Sequence, residues 1–70
     1  NKTSQDTIVT ILKLISDIKK NRESYTHSKL TGVLKLIVNL SGETRSNDLT
    51  KVLIIAVKAI TIMLNEMDSA

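Results

Sequence analysis

The chain has 70 residues, a net charge of +3 and a hydrophobic content of 41%, with one Tyr and no Phe, Trp or Cys. A chain of this length forms one domain with a small core, and without cysteine it can hold neither a disulfide nor a thiolate-bound metal. We therefore expect one helical domain over residues 1–70. Because the sequence does not begin with Met, we also expect it to be a piece of a longer protein.

The first predicted helix covers residues 5–20. Apolar residues recur there at steps of three and four, as on one face of an amphipathic helix. The stripe consists of Ile8, Ile11, Leu12, Ile15 and Ile18, with Leu14 on its flank. Thr3 or Ser4 is expected to cap the start of the helix, and Asp6 is expected in its first turn, where the helix dipole favours a negative charge.

The second predicted helix covers residues 28–41, and the connection at 21–27 can hold a short extra helical turn. The apolar stripe consists of Leu30, Val33, Leu34, Ile37 and Leu40, flanked by Leu36 and Val38. Gly32 falls on the side away from this stripe. Gly42 is expected to end the helix in the left-handed conformation, which glycine adopts at little cost.

The third predicted helix, over residues 47–67, is the most apolar segment of the chain, and Ser46 or Asn47 is expected to cap it. Its core face consists of Leu49, Val52, Leu53, Ala56, Ala59, Ile60, Met63, Leu64 and Met67. A membrane-spanning helix needs about 20 predominantly apolar residues, whereas Lys51 and Lys58 lie inside this shorter run. We therefore predict no membrane span.

Two short connections between three helices imply antiparallel neighbours. The predicted fold is thus all-α, a small up-down-up three-helix bundle in which the first two helices pack on the third. Three further isoleucines of the third helix, Ile54, Ile55 and Ile62, lie outside its core face. They form a possible apolar interface, or else the neighbouring helices cover them.

The sequence carries no pattern typical of a catalytic or metal site. His27 is the only imidazole, and a general base needs a positioned partner and a nucleophile within hydrogen-bond reach. The acidic residues lack the spacing of a calcium loop, and there is no glycine-rich phosphate loop. We predict that the chain is not an enzyme and binds no metal or cofactor.

Positive charge is concentrated in residues 13–35, which carry six basic and two acidic residues. The candidate partner-binding residues are Lys19, Lys20, Arg22 and Lys29, with Tyr25 beside them. Such a patch can attract an acidic protein segment or a nucleic acid. The ordinary alternative is a solvated surface whose lysines complement the C-terminal end of the first helix.

Three functions remain open at this point. The first is an adaptor that holds an acidic or flexible segment of a protein partner. The second is self-association through the back of the third helix. The third, weak nucleic-acid binding, is disfavoured because stacking aromatics are lacking apart from Tyr25. An intracellular location is expected, with cytoplasm and nucleus undistinguished.

An aliphatic helical module of this kind, rich in Ile, Leu, Asn, Ser and Thr and poor in aromatics, resembles a viral family. It is similar to the C-terminal nucleocapsid-binding domains of phosphoproteins from nonsegmented negative-strand RNA viruses. The resemblance implies a module that tethers the viral polymerase to nucleoprotein-coated RNA. Its basic residues would meet an acidic nucleoprotein segment, and here that part would fall to Lys19, Lys20, Arg22, Lys29 and Tyr25. The lack of Trp and Phe departs from members with aromatic pockets, which leaves the position of any groove open.

Overall fold

The computed structural model describes the backbone of residues 2–69 and the side chains of residues 4–69. Its elements are helix α1 (Lys2–Lys20), a 3₁₀ turn (Arg22–Ser24), helix α2 (His27–Glu43) and helix α3 (Asn47–Ser69). No strand occurs in this part of the chain. The predicted all-α fold with three helices is confirmed, and the extra turn in the first connection is present.

Side-chain caps begin two of the helices. The Thr26 hydroxyl accepts a hydrogen bond of 3.2 Å from the backbone N–H of Lys29 at the start of α2. Likewise the Ser46 hydroxyl accepts one of 3.2 Å from the N–H of Leu49 at the start of α3. Ser46, one of the two predicted caps of the third helix, is therefore its N-cap. Each cap satisfies a backbone donor that lacks a partner inside the helix.

The start of α1 differs from the prediction. The helix begins at Lys2, so Ser4 lies inside it, and the first turn contains no acidic residue. Asp6 is thus beyond the first turn, while the side chain of Thr3 lies outside the described residues. The polar residues at this end have moderate helix propensities, and no Pro or Gly interrupts them, so the helix extends further than the apolar stripe requires.

The end of α2 also differs from the prediction. The helix continues through Gly42 to Glu43, and neither glycine has a positive φ. The N–H of Thr44 still donates to the carbonyl of Leu40 at 3.0 Å, and the chain then leaves the helix in the extended conformation of Thr44, with φ −80° and ψ 145°. The helix therefore ends without a left-handed residue, and glycine is not required there.

Helix α3 is the common packing partner of the other two helices. α1 and α2 each pack against it, whereas no Cα atom of α1 lies within 8 Å of one of α2. Arg22, after the end of α1, reaches Glu66 near the end of α3, and His27 at the start of α2 reaches Asp68 there. α1 therefore runs parallel to α3 and α2 antiparallel, which is the up-down-up order.

One aliphatic cluster joins the three helices. Its buried members are Ile11, Ile15, Ile18, Leu30, Ile37, Leu49, Leu53, Ala56, Ile60 and Met63. The predicted core faces are thus largely correct, and α3 supplies half of the buried residues. Leu12 was predicted in the core but is exposed, because it lies about 100° around α1 from Ile11 and so beside the seam with α3.

The adjacent residues Leu53 and Ile54 test the assignment of core and surface on α3. Leu53 is fully buried, whereas Ile54 is 48% exposed. We expect Leu53→Asp to destabilise the fold by more than about 4 kcal/mol, because it buries an unpaired charge in place of a packed side chain. Ile54→Asp should cost less than about 1 kcal/mol. Urea unfolding followed by circular dichroism distinguishes them, and similar losses would contradict the assigned faces.

The two glycines of α2 offer a second test. Both have helical backbone, and a Cβ atom built at Gly32 or Gly42 meets no atom within 4 Å. Gly32→Ala should raise the free energy of unfolding by about 0.5–1 kcal/mol, since alanine loses less backbone entropy on folding. Gly42→Ala should gain less because it lies in the last turn. A loss of stability in Gly32→Ala would contradict a continuous α2.

Candidate protein-interaction site

A groove of about 500 Å³ runs along the seam between α1 and α3. Buried Ile15 and Ala56 contribute to its floor, and exposed Leu12 and Ile55 border it from α1 and α3, respectively. The small side chains of Ser16 and Ala56 leave the depression open, since larger residues at those positions would fill the seam. The surface of this α1–α3 groove is therefore mostly aliphatic.

Cations line the end of the groove where α1 terminates. Lys19 and Lys20 contribute to its wall, and both are exposed. Lys19 also borders an adjoining depression of about 420 Å³, which we call the Arg22 pocket. The lining of the Arg22 pocket consists of Lys19, Arg22, Ala59, Ile62, Met63 and Glu66. The linings of the groove and the pocket share Lys19, and each combines aliphatic side chains with cations.

An ion pair crosses the Arg22 pocket. Nη2 of Arg22 donates to Oε2 of Glu66 at 2.9 Å, and the two side chains are 46% and 54% exposed. Exposed ion pairs of this kind contribute only about 0.2–1 kcal/mol. The pair joins the first connection to the end of α3, but it does so weakly enough for another charged group to replace one partner.

Two of the predicted basic-patch residues lie in other surroundings. The hydroxyl of Tyr25 donates to Oδ2 of Asp17 at 2.7 Å, and the Asn21 amide donates to Oδ1 of the same carboxylate at 3.0 Å. Nζ of Lys29 donates to the carbonyl of Ser24 at 3.4 Å. Lys19, Lys20 and Arg22 thus lie on the groove and the pocket, whereas Tyr25 and Lys29 make contacts that hold the first connection.

The remaining candidate for chemistry, His27, is the first residue of α2. Its Nε2 lies 3.4 Å from Oδ1 of Asp68, and both side chains are largely exposed. Among the side chains of residues 4–69, no group of three or more His, Cys, Asp and Glu could hold a metal ion. Over the same range, none of the helices combines the length and hydropathy that crossing a bilayer requires.

The three surplus isoleucines of α3 are all exposed, but they do not form a single patch. Ile55 borders the α1–α3 groove and Ile62 lines the Arg22 pocket, whereas Ile54 lies with Val38 in a depression on the α2 side. Ile55 and Ile62 are about two helical turns apart and project from the same side of α3. Ile54 projects from α3 at an angle of about 100° to Ile55. Lys58 lines the same α2-side depression as Ile54 and is exposed.

Several residues that line the groove and the pocket were not among the site residues predicted from the sequence. On α1, Leu12 and Ser16 continue at helical spacing to Lys19, and this second stripe was a signal that could have located the groove. Glu66 had no such signal. It lies 44 residues from Arg22 along the chain, so their contact depends on how α1 and α3 pack.

Comparison with protein families, with curated proteins and with solved structures yields no match for this chain. The functional interpretation therefore depends on the geometry and charges of the groove.

The contact between Tyr25 and Asp17 has a measurable consequence. The hydrogen bond to Asp17 raises the pKa of Tyr25 above its ordinary value of 10.0, and burial and the negative charge of Asp17 act in the same direction. Because the folded pKa is the higher one, the contribution of this contact to stability is present below the unfolded pKa and is lost as pH rises through the folded pKa.

Titration of phenolate absorbance measures this pKa directly, since Tyr25 is the only tyrosine. Asp17→Ala should lower the midpoint toward the ordinary value, and the control Asp6→Ala, which removes the same charge elsewhere on α1, should not. An unchanged midpoint in Asp17→Ala would show that the contact does not set the pKa.

Proposed function

We propose that this chain is a non-enzymatic protein-interaction module that holds an acidic, amphipathic segment of another protein in the α1–α3 groove. The supporting observation is an aliphatic groove bordered by exposed Leu12 and Ile55, with Lys19 and Lys20 at one end. Exposed aliphatic surface of this kind is typical of interfaces. An apolar groove between helices accepts the apolar face of a further helix, and the lysines select negative charge.

The dimensions of the groove limit the length of the segment. On α3 the lining runs from Val52 to Glu66 through the groove and the Arg22 pocket, a distance of about 21 Å at 1.5 Å per residue. The occupant is therefore a helix of about four turns with apolar residues on one face. Acidic residues in its first turn stabilise its own helix. The same residues meet Lys19 and Lys20 when the helix runs antiparallel to α1 and α3.

The viral form of the proposal is more specific. A phosphoprotein module that tethers a polymerase to nucleoprotein-coated RNA would take the acidic segment of a nucleoprotein as its partner. The basic end of the groove supports a partner of that charge. The viral role is tested by whether an acidic nucleoprotein segment competes with the peptides described below.

Self-association is the alternative use of the exposed isoleucines. Ile54 and Lys58 lie on the α2 side of α3, and Ile55 lies on the α1 side. A second copy packed on the back of α3 would bring like charges together, which disfavours pairing. We therefore expect sedimentation equilibrium to show a monomer over a range of concentrations. A discrete dimer that Ile55→Lys dissociates would instead make self-association the function.

Synthetic helical peptides of about 14 residues test the adaptor function. Each has one aliphatic face, and its first turn carries either two Asp or two Asn. We expect the acidic peptide to bind, and the Asn peptide to bind more weakly. Combining Lys19→Gln with Lys20→Gln should lower affinity for the acidic peptide and leave affinity for the Asn peptide nearly unchanged. Fluorescence anisotropy measures each Kd.

Adjacent isoleucines give the matched control for the groove. Ile55→Lys should weaken binding of the acidic peptide by about tenfold or more, because it places a charge on the border of the groove. Ile54→Lys, on the other side of α3, should change it less than about twofold. Both positions are exposed, so melting curves should stay close to that of the parent chain. Equal losses from both substitutions would contradict binding in the α1–α3 groove.

A further inference from the structure

We infer that the Arg22 pocket is a receptor for a carboxylate side chain of the partner, and that Glu66 occupies its arginine in the free chain as an internal competitor. This inference rests on the function proposed above and assigns the end of the same groove. It predicts a partner in which an acidic residue lies beside an aliphatic residue. The acidic residue would bind Arg22, and the aliphatic residue would pack against Ile62 and Met63.

The composition of the pocket supports a carboxylate ligand. Two cations, Lys19 and Arg22, line it together with a single anion, Glu66, so positive charge remains after the internal pair has formed. The rest of the wall is Ala59, Ile62 and Met63. An acidic side chain with an aliphatic neighbour is complementary to both parts of this lining.

The geometry of the ion pair leaves room for exchange. Among the described residues the bond runs from one nitrogen, Nη2 of Arg22, to one oxygen, Oε2 of Glu66. A guanidinium group has five N–H donors in a planar fork that fits a carboxylate bidentately. The single internal bond therefore uses little of the donor capacity of Arg22. A partner carboxylate that binds bidentately would replace Glu66 with a stronger contact.

Glu66 consequently lowers the affinity of the pocket for a carboxylate. Any partner carboxylate must first displace it or share Arg22 with it, and the free energy of the internal pair is subtracted from that of binding. The Arg22–Glu66 pair is about half exposed, so this penalty is small. Removing the charge of Glu66 should tighten binding of acidic segments and leave neutral segments unaffected.

The experiment compares Glu66→Gln with the parent chain, using the acidic and Asn peptides described above. We expect Glu66→Gln to lower the Kd of the acidic peptide about two- to fivefold at low salt. It should leave that of the Asn peptide unchanged. The difference should shrink as ionic strength rises. Asp6→Asn removes a negative charge near the start of α1, about 20 Å along the helix from Lys19. It should leave both affinities unchanged.

The arginine supplies the decisive control. In an Arg22→Gln background, Glu66→Gln should no longer change the Kd of the acidic peptide, because the internal pair is already lost. A tightening that persists there, or an equal tightening in Asp6→Asn, would show an effect of net charge and overturn the internal competitor. If the acidic peptide binds the parent chain but Glu66→Gln gives no tightening, this inference fails while the groove function stands. If the acidic peptide binds none of these chains, the proposed function fails and this inference with it.

Discussion

The packing of two helices onto the single apolar surface of α3 is the constraint on which the rest of this structure depends. α1 and α2 come close to α3 but not to each other. The fully buried side chains of Leu53 and Ile60 are therefore part of a surface that has to serve both neighbours. α3 contributes half of the buried core residues. Hydrophobic burial is the dominant favourable term in folding, and a chain of 70 residues has only a small core. A charge placed in this surface would weaken the attachment of both helices at once.

The same constraint creates the groove. A helix that packs on one flank of α3 leaves a seam with a solvent-exposed edge, and the depth of that seam depends on the size of the side chains in it. Ser16 and Ala56 are small, while Leu12 and Ile55 are large and lie at the edges. The result is a depression with an aliphatic border. The groove thus follows from side-chain volumes along a helix seam, without any special backbone conformation.

The charged side chains make the two ends of the groove different. Lys19 and Lys20 are in the last turn of α1, where positive charge also complements the helix dipole. The connection that follows α1 is joined to the end of α3 by the Arg22–Glu66 pair and by the contact between His27 and Asp68. All of these groups are exposed, so they contribute little to stability. Their arrangement determines which charges are available at one end of the groove.

Much of the fold could be predicted from the sequence because helical periodicity is a local property. The stripes containing Ile11, Leu30 and Leu53 identified three helices and most of the core, and the cap at Ser46 was among those expected. The errors were at positions where local rules compete. Gly42 does not end α2, since the helix continues to Glu43 without strain. Leu12 was placed in the core stripe because it is apolar and lies at helical spacing from Ile8 and Ile15, but it is exposed.

The candidate site depended on information that the sequence alone does not contain. Composition and charge predicted a basic region and surplus isoleucines, and Lys19, Lys20 and Arg22 are indeed neighbours in space. Only the tertiary structure decided that Ile54 lies beside α2 and Ile55 beside α1, and that Glu66 pairs with Arg22. The physical reason is that a helical repeat fixes the direction of each side chain about its own axis. Which neighbouring helix covers that direction depends on how the helices pack together.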